Sequence, residues 1–262
     1  MQASHALALT ILGSALYLSS LGALQASLTQ TELDEAPSPG IVRLSCLDPE
    51  TKIRTISLGA LIDPQAADNS DHPEIVLVVA HGLTAALHNC YVRLGEERLE
   101  ITEAHLSEDY EPGEIASDWA VLVLDGRFTS ARERLPWQPF PLAIADQHIQ
   151  AEGVVHILRH GNGEPGSACE ARIPQSTLKD SEDRDVIIVA DCTTFPGMSG
   201  APVVVSVNNA PAVIGVNIGI RYDLTLKDPE WKRAVNVIRL LDAGMDAGLQ
   251  AAIRSARQTS HP

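Results

Sequence analysis

The amino-acid sequence predicts an all-β protein with one helix at its C-terminal end. Short runs rich in Val and Ile recur along the chain between Gly, Pro, Asn and Asp residues, which is the pattern of strands joined by turns. Little of the sequence between these runs has helical periodicity, so an antiparallel sandwich or barrel fits better than a parallel β-α-β fold. The predicted strands span residues 41–46, 52–62, 74–80, 119–124, 153–159, 185–190, 201–207 and 211–220.

The two ends of the chain differ from this strand-rich body. From Leu240 onward the sequence has helical character, which predicts the single C-terminal helix. At the other end, residues 6–26 form an apolar run that precedes the first charged residue, Glu32. The run ends in small residues and predicts a signal peptide, residues 1–26, cleaved after Ala26.

The N-terminal run also permits a second interpretation. No Lys or Arg precedes it, which departs from the usual signal-peptide pattern. It is about long enough to span a bilayer, so a retained anchor formed by residues 6–26 is the alternative. Residues 27–40 are predicted to be a polar linker. In either case the remainder is expected to be secreted or periplasmic, with membrane contact only if the apolar segment is retained.

Composition excludes some classes of function. A chain of 262 residues is long enough for one large domain or two small ones. Its formal net charge of -15 argues against a nucleic-acid partner, because phosphate binding requires clustered Lys and Arg. The four cysteines contain no C-x-x-C pair, and His88 with Cys90 does not complete a metal pattern. We therefore expect neither a metal nor another cofactor.

Ser199 lies between two glycines in "PGMSGAPVV", immediately before a predicted strand. Gly and Ser are common in ordinary turns, but a serine held at a bend can also be a nucleophile. The G-x-S-x-G pattern of α/β-hydrolases does not apply, because position 201 is Ala and only His261 follows the serine. A base for this serine must come from earlier in the chain, where the candidates are His72, His81, His88, His105, His148, His156 and His160.

Two residues at strand ends could activate the serine. His81 directly follows the apolar run 74–80, and Asp118 immediately precedes the apolar run 119–124. Each could be an ordinary residue taken alone, His81 as a half-buried strand cap and Asp118 as an exposed strand start. A carboxylate entering an apolar run is costly to bury unless it is paired. The order His81, Asp118, Ser199 in an all-β chain favours a catalytic constellation.

The segments "VVAHGL", "SDWAVLVLD", "DCTTFPGMSGAPVV" and "AVIGVNIG" together resemble the trypsin-like, chymotrypsin-fold serine peptidases. The resemblance covers roughly residues 41–256 and is strongest to the bacterial secreted branch that includes the glutamyl endopeptidases. It implies two six-stranded antiparallel β-barrels with the active site in the cleft between them. On this basis the first barrel is residues 41–130, the inter-barrel crossing 131–144, the second barrel 145–240, and the helix and tail 241–262.

The resemblance also assigns roles to individual residues. Ser199 would attack the peptide carbonyl to give an acyl-enzyme, His81 would carry the proton, and Asp118 would orient the imidazole. The N–H groups of Gly197 and Ser199 would form the oxyanion hole. The predicted activity is that of a serine endopeptidase whose partner is a protein or peptide substrate. The alternatives are a non-catalytic scaffold on the same fold, which binds peptides or partner proteins, and an esterase.

Departures from the family concern activation and packing. Met198 replaces the Asp that pairs with a newly cut N-terminus in digestive trypsin-like enzymes, so activation by that ion pair is not expected. The run before His81 is Val-Val-Ala, where the family usually has a Thr-Ala-Ala type run.

The predicted substrate-binding residues are Thr193, Thr194, Asn217 and Gly219. Thr193 lies where trypsins carry an acid, and Asn217 lies where glutamyl endopeptidases carry a histidine. Because neither offers a charge, we expect cleavage after small, polar or medium apolar residues, with Lys, Arg and Glu disfavoured.

The cysteines are expected to form two disulfides. Four cysteines allow three pairings, and the pairing Cys46–Cys90 with Cys169–Cys192 keeps each loop within one of the implied barrels. The second bridge would brace the segment that leads to Ser199.

Overall fold

The structure is a computed structural model. It describes residues 40–63, 74–83, 87–125, 142–143, 145, 154–159, 167–173, 186–189, 192, 194–207, 210–222 and 234–259. The predicted signal peptide or anchor, the linker apart from Gly40, and the crossing apart from residues 142–143 lie outside these ranges. Within the described part of the chain, no helix is long and apolar enough to cross a membrane.

The first sheet consists of antiparallel strands from the N-terminal half. They are β1 (Ile41–Leu47), β2 (Arg54–Ile62), β3 (Ile75–Val78), β4 (Cys90–Leu94), β5 (Glu97–Leu99), β6 (Ile101–Leu106) and β7 (Ala120–Leu124), in the order β5-β4-β1-β2-β3-β7-β6. The edge strands β5 and β6 are separated in sequence only by Glu100. They are therefore the two halves of one bent strand, which pairs with both ends of the sheet and closes it into a barrel. When the bent strand is counted once, this barrel has six strands.

The second sheet comes from the C-terminal half. Its strands are β8 (Val154–Arg159), β9 (Ser167–Arg172), β10 (Val186–Val189), β11 (Pro202–Val207), β12 (Ala210–Tyr222) and β13 (Ala234–Leu240), in the order β10-β13-β12-β11-β8-β9. The Cys169–Cys192 disulfide links β9, at one edge, to the segment that follows β10, at the other edge. The sheet is thus curled so that its two edges approach each other.

Strand β3 shows why the apolar runs of the first half lack the alternation of an exposed sheet. Ile75 and Leu77 belong to a hydrophobic cluster that continues into the second sheet, whereas Val76 and Val78 belong to the cluster inside the first barrel. Successive side chains of a strand point to opposite faces. Because both faces of β3 are covered, the whole strand is buried and its sequence is continuously apolar.

The predicted fold class is confirmed, and all of the predicted strands are present within a few residues of their expected ends. Strands β4, β5, β6, β9 and β13 were not predicted. The helix α1 (Ala243–Thr259) begins later than expected, because Leu240 is the last residue of β13. Asp242 caps this helix, since its Oδ1 accepts a hydrogen bond of 2.6 Å from Met245 N–H.

Both predicted disulfides are present. Cys46 and Cys90 lie directly opposite each other on β1 and β4 and are bonded. Cys169 is bonded to Cys192. Each bridge joins residues of the same sheet or its adjoining segment, so neither crosses between the two halves of the molecule.

Candidate active site

His81 lies in a short 3₁₀ turn, Ala80–Gly82, immediately beyond the end of β3. Leu83 N–H donates to the Ala80 carbonyl at 2.9 Å and closes the turn. Gly82 packs so closely on β2 that a Cβ atom there would lie 2.7 Å from Ser57 Oγ. The turn is therefore fixed against the barrel, while the His81 side chain is 41% exposed and accessible from the solvent.

Asp118 contacts His81 through both of its carboxylate oxygens. Oδ2 lies 2.6 Å from His81 Nδ1, and Oδ1 accepts a hydrogen bond of 2.8 Å from the His81 backbone N–H. An ionised carboxylate can only accept, so Nδ1 carries the proton and the Nε2 lone pair is left for another donor. The Asp118 side chain is only 9% exposed, and this pairing compensates its burial.

The charge of the Asp118 carboxylate affects the pKa of Tyr110. Its pKa is raised, mainly because burial disfavours the phenolate and additionally because the negative charge of Asp118 is nearby. The phenol therefore stays neutral to a higher pH than an exposed tyrosine would.

The Ser199 segment is held in a tight, glycine-dependent bend. Met198 N–H donates to the Phe195 carbonyl at 3.0 Å, and Ala201 N–H donates to the Met198 carbonyl at 3.1 Å. Gly197 has φ 93° and Gly200 has φ 84°, a region that residues with side chains rarely adopt. The two glycines that flank the Met198–Ser199 pair in the sequence are therefore required by the backbone.

This bend contacts the first barrel. Leu58 N–H donates to the Ser199 carbonyl at 2.7 Å. A Cβ atom at Gly200 would lie 2.0 Å from the Leu58 carbonyl oxygen and 3.5 Å from Val79 N. Val79 is two residues before His81 in the sequence, so the serine-bearing bend lies against the part of β2 and β3 from which His81 projects.

The predicted substrate-binding residues have different surroundings. Gly219 borders the serine, because a Cβ atom at this position would lie 3.7 Å from Ser199 Oγ. Thr194 is buried and its hydroxyl donates to Asn236 Oδ1. Thr193 lies outside the described residues.

Asn217 is fully buried and bonded to the serine-bearing bend. Its Nδ2 donates to the Met198 carbonyl at 3.0 Å, its backbone carbonyl accepts from Gly200 N–H at 2.6 Å, and its backbone N–H donates to the Ala201 carbonyl. Its Oδ1 has no hydrogen-bond partner among the described residues. Asn217 thus braces the bend with its donors, and its predicted contact with substrate stays a prediction.

The sequence did not predict a role for two residues near the site, Asn236 and Arg239 of β13. Asn236 accepts from Thr194 and donates through Nδ2 to the Cys192 carbonyl, so it ties β13 to the segment before the serine. Burying an Asn or Arg side chain within an apolar run is unfavourable unless it has hydrogen-bonding partners. The polar residues inside the apolar run "AVNVIRLL" could therefore have indicated that such partners exist. Within the described ranges no group of His, Cys, Asp and Glu side chains could hold a metal ion.

Comparison with known protein families identifies the family to which the chain belongs. Residues 66–216, more than half of the sequence, match the trypsin-like peptidase domain. The chain belongs to this family. The predicted resemblance and the prediction of a serine-type peptidase are thereby confirmed at the level of the family. The match does not address the glutamyl endopeptidase branch, so that finer resemblance stays a prediction.

Solved structures support the same fold. A thermostable serine protease AL20 from an extremophilic microorganism has a TM-score of 0.57 at 13% identity, and the alignment covers 84% of this chain and 99% of that one. The active form of the Rv3671c protease from M. tuberculosis has a TM-score of 0.52 at 25% identity, over 83% of this chain and 82% of that one. A search of curated proteins found no match to the sequence.

Proposed function

We propose that this peptidase is a serine endopeptidase whose catalytic triad is Ser199, His81 and Asp118. The observation that carries the proposal is the double contact of Asp118 with the ring and the backbone of His81. It coincides with the contact of the Ser199 bend on the strands that lead to this histidine. A base oriented by a buried acid, next to a serine on a glycine-flanked bend, is the arrangement required for acyl transfer.

The proposed reaction proceeds through two acyl-transfer steps. Ser199 Oγ attacks the carbonyl carbon of the scissile bond while its proton passes to His81 Nε2. His81 then gives this proton to the leaving amine as the C–N bond breaks, which leaves the acyl group on the serine. A water molecule, deprotonated by the same nitrogen, then attacks the acyl carbon. The bond between this carbon and Ser199 Oγ breaks, the acid leaves, and the proton returns from His81 to Ser199 Oγ. Asp118 stays ionised throughout and stabilises the imidazolium form of His81.

The oxyanion hole is proposed to consist of the N–H groups of Gly197 and Ser199. In the bend, the N–H groups of Met198 and Gly200 are bonded to carbonyls of the protein. By contrast, those of Gly197 and Ser199 donate to no acceptor among the residues that the structure describes. Two unpaired donors beside the nucleophile can stabilise the charge that develops on the carbonyl oxygen.

The pocket beside the nucleophile is proposed to favour uncharged side chains. Thr193, Thr194, Asn217 and Gly219 are its proposed walls, and none of them carries a charge. Burying a substrate Lys, Arg or Glu side chain without a counter-charge costs on the order of several kcal/mol. Small, polar or medium apolar residues are therefore the proposed preference before the scissile bond.

The proposed location is outside the cytoplasm. Two disulfides, Cys46–Cys90 and Cys169–Cys192, suit an oxidising compartment. A secreted or periplasmic peptidase, exported by its apolar N-terminal segment, agrees with this chemistry.

Hydrolysis of a mixed peptide library tests the activity and the preference together. The full chain and its Ser199→Ala variant are incubated with the library, and the new termini are identified by mass spectrometry. The proposal expects cuts after uncharged residues with the wild-type chain and none with the variant. A dominant Lys, Arg or Glu before the cut would refute the pocket. Ester cleavage without peptide cleavage would identify an esterase, and neither activity would indicate a binding scaffold.

A further inference from the structure

Arg239 of β13 is a buried cation that connects the two barrels. Its side chain is 7% exposed. Nε donates to the Ala116 carbonyl at 2.6 Å, and Nη1 donates to the carbonyl of the adjacent Leu240 at 2.8 Å. Nη2 lies 2.7 Å from Asp242 Oδ2. The guanidinium thus contacts Ala116, Leu240 and Asp242, and the contact with Ala116 reaches the first barrel.

The cross-barrel contact reaches the segment that carries the catalytic acid. Ala116 is separated from Arg239 by 123 positions in sequence but lies only two residues before Asp118. Asp118 N–H donates to the Ile115 carbonyl at 3.2 Å, so Ala116 lies inside the turn that positions the carboxylate. A displacement of this carbonyl would be transmitted directly to Asp118.

The other end of the connection is fixed by the C-terminal helix. Asp242 uses Oδ1 to cap α1 and Oδ2 to pair with Arg239, so the cap and the ion pair hold each other in place. The helix also packs on the residue after the catalytic acid, because a Cβ atom at Gly248 would lie 2.5 Å from the ring of Trp119. Asp118 is therefore held on both sides by elements of the second half.

We propose that Arg239 is a positioning residue, which holds the Asp118 turn so that the carboxylate meets His81 in the productive geometry. The inference rests on the proposed triad. Burial of an arginine is expensive unless its donors are used, and here one donor is used on the first barrel at the catalytic acid. In this proposal the helix α1 and its cap act on catalysis through Arg239, although neither touches the substrate.

The structure also offers a way to rescue a variant chemically. A cavity of about 880 Å³ lies between α1 and the segment before β7, and Arg239, Ala116, Ser117 and Asp242 are among its lining residues. In Arg239→Ala the space of the lost side chain would join this cavity. A free guanidinium ion is small enough to enter and can donate to both the Ala116 carbonyl and the Asp242 carboxylate.

Kinetics of the full chain provide the first test. Arg239→Ala is expected to lower kcat by about ten- to a hundredfold with KM nearly unchanged, because a small displacement of a catalytic group affects the transition state rather than ground-state binding. Millimolar guanidinium should restore part of kcat, whereas urea, which has a similar shape but no charge, should not. Ile41→Val in β1, a buried core position outside β13 and α1, is the stability control and should leave kcat unchanged.

Proton NMR provides a second test that does not depend on peptide hydrolysis. The proton between His81 Nδ1 and Asp118 is expected to give a far-downfield resonance in the wild-type chain. This resonance should broaden or shift in Arg239→Ala and be retained in Ile41→Val. Arg239→Lys, which keeps the charge but not the fork of donors, should give an intermediate change and serves if the alanine variant does not fold.

The two tests separate this inference from the proposed function. Retention of both the downfield resonance and kcat within about twofold in the Arg239 variants would overturn the positioning role, even if their melting temperature falls. A wild-type chain that cuts no peptide would overturn the proposed activity, while the NMR comparison would still decide whether Arg239 positions Asp118.

Discussion

The two barrels contribute to the site in different ways. The first supplies His81 and Asp118, which lie at the ends of buried strands and are held by two hydrogen bonds between them. The second supplies Ser199 on a bend that depends on two glycines in the left-handed region and on the buried side chain of Asn217. The base and acid are therefore oriented by direct contacts with each other, whereas the nucleophile is positioned by the backbone of its bend together with the Asn217 side chain. Substitutions can test this difference in order of expected effect.

The largest effect is expected from the triad itself. Ser199→Ala or His81→Ala should lower kcat about a million-fold, and Asp118→Asn about ten-thousandfold, because these groups act as a unit. The melting temperatures of Ser199→Ala and Asp118→Asn should change little, since the chain keeps its core, whereas His81→Ala should lower the melting temperature because the buried Asp118 carboxylate loses its ring partner. Steady-state kinetics with a cleaved peptide, combined with thermal melts, measure both quantities. Near-normal hydrolysis by Ser199→Ala would refute the assignment.

The next effect concerns the backbone of the serine-bearing bend. Gly200→Ala should lower the free energy of unfolding by at least about 4 kcal/mol or displace the bend with loss of activity, because its Cβ would lie 2.0 Å from the Leu58 carbonyl oxygen. Gly113→Ala is a matched control, since Gly113 also has a positive φ but nothing lies within 4 Å of its Cβ position.

The control separates the cost of the steric contact at Gly200 from the cost of placing a side chain at a positive φ. Gly113→Ala should cost only about 1 to 3 kcal/mol, the usual strain of an unfavourable φ, and should leave activity intact. Chemical denaturation of both variants provides the comparison. Equal costs for the two substitutions would show that the contact between the bend and β2 contributes nothing.

The disulfides should differ in their effect on activity. Replacing either pair by serines should cost about 2 to 5 kcal/mol. Loss of Cys169–Cys192 should also lower activity, because Cys192 adjoins the segment that Asn236 ties to β13. Loss of Cys46–Cys90, which joins β1 to β4, should leave kcat unchanged below the melting temperature. The opposite result would place the sensitive half of the site in the first barrel.

A smaller effect is expected at Asn236. Asn236→Ala removes the partner of the Thr194 hydroxyl and of the Cys192 carbonyl, both buried, and should cost about 1 to 3 kcal/mol. Because the segment before Ser199 loses its attachment to β13, kcat should fall as well. Denaturant unfolding and peptide kinetics on the same preparation measure the two effects. An unchanged kcat would limit Asn236 to a role in stability.

The smallest effect concerns pH. Burial lowers the pKa of His156 below its ordinary value of 6.5, while Glu170 on the neighbouring strand opposes the shift. The unfolded chain therefore binds this proton more readily, and stability should fall as the pH drops below 6.5. His156→Leu should weaken this dependence between about pH 7 and pH 5. His88→Leu, at an exposed position, is the control in the same series of thermal melts.

Strands β3 and β7 were predicted because they are buried along their whole length and apolar on both faces. The run 74–80 is continuously apolar because β3 is covered on both sides, and such a run is visible without any alignment. Strands β4, β5 and β6 were not predicted, because charged residues at their exposed positions interrupt the apolar runs. Examples are Arg93 on β4 and Arg98 on β5. The Arg98 guanidinium packs over the ring of Tyr91 at 4.2 Å, where β4 pairs with β5.

The same distinction applies to the site. His81, Asp118 and Ser199 could be chosen as candidates because each adjoins an apolar run and their order matches a known family. The roles of Asn236 and Arg239 could not be predicted, because the partners that connect them to the site, Thr194, Cys192 and Ala116, are 42 to 123 positions away in sequence. A polar residue in a strand signals that a partner exists, but only the folded chain identifies the partner.

Labelling with a fluorophosphonate probe tests the central claim most directly, because the probe reacts only with a serine that a base activates. The full chain, His81→Ala and Asp118→Asn are labelled in parallel, and the modified peptide is mapped by mass spectrometry. The account predicts one label on Ser199 in the folded wild-type chain, with a rate lowered about a hundred- to ten-thousandfold in His81→Ala. No label on folded wild-type protein, or an equal rate without His81, would contradict it.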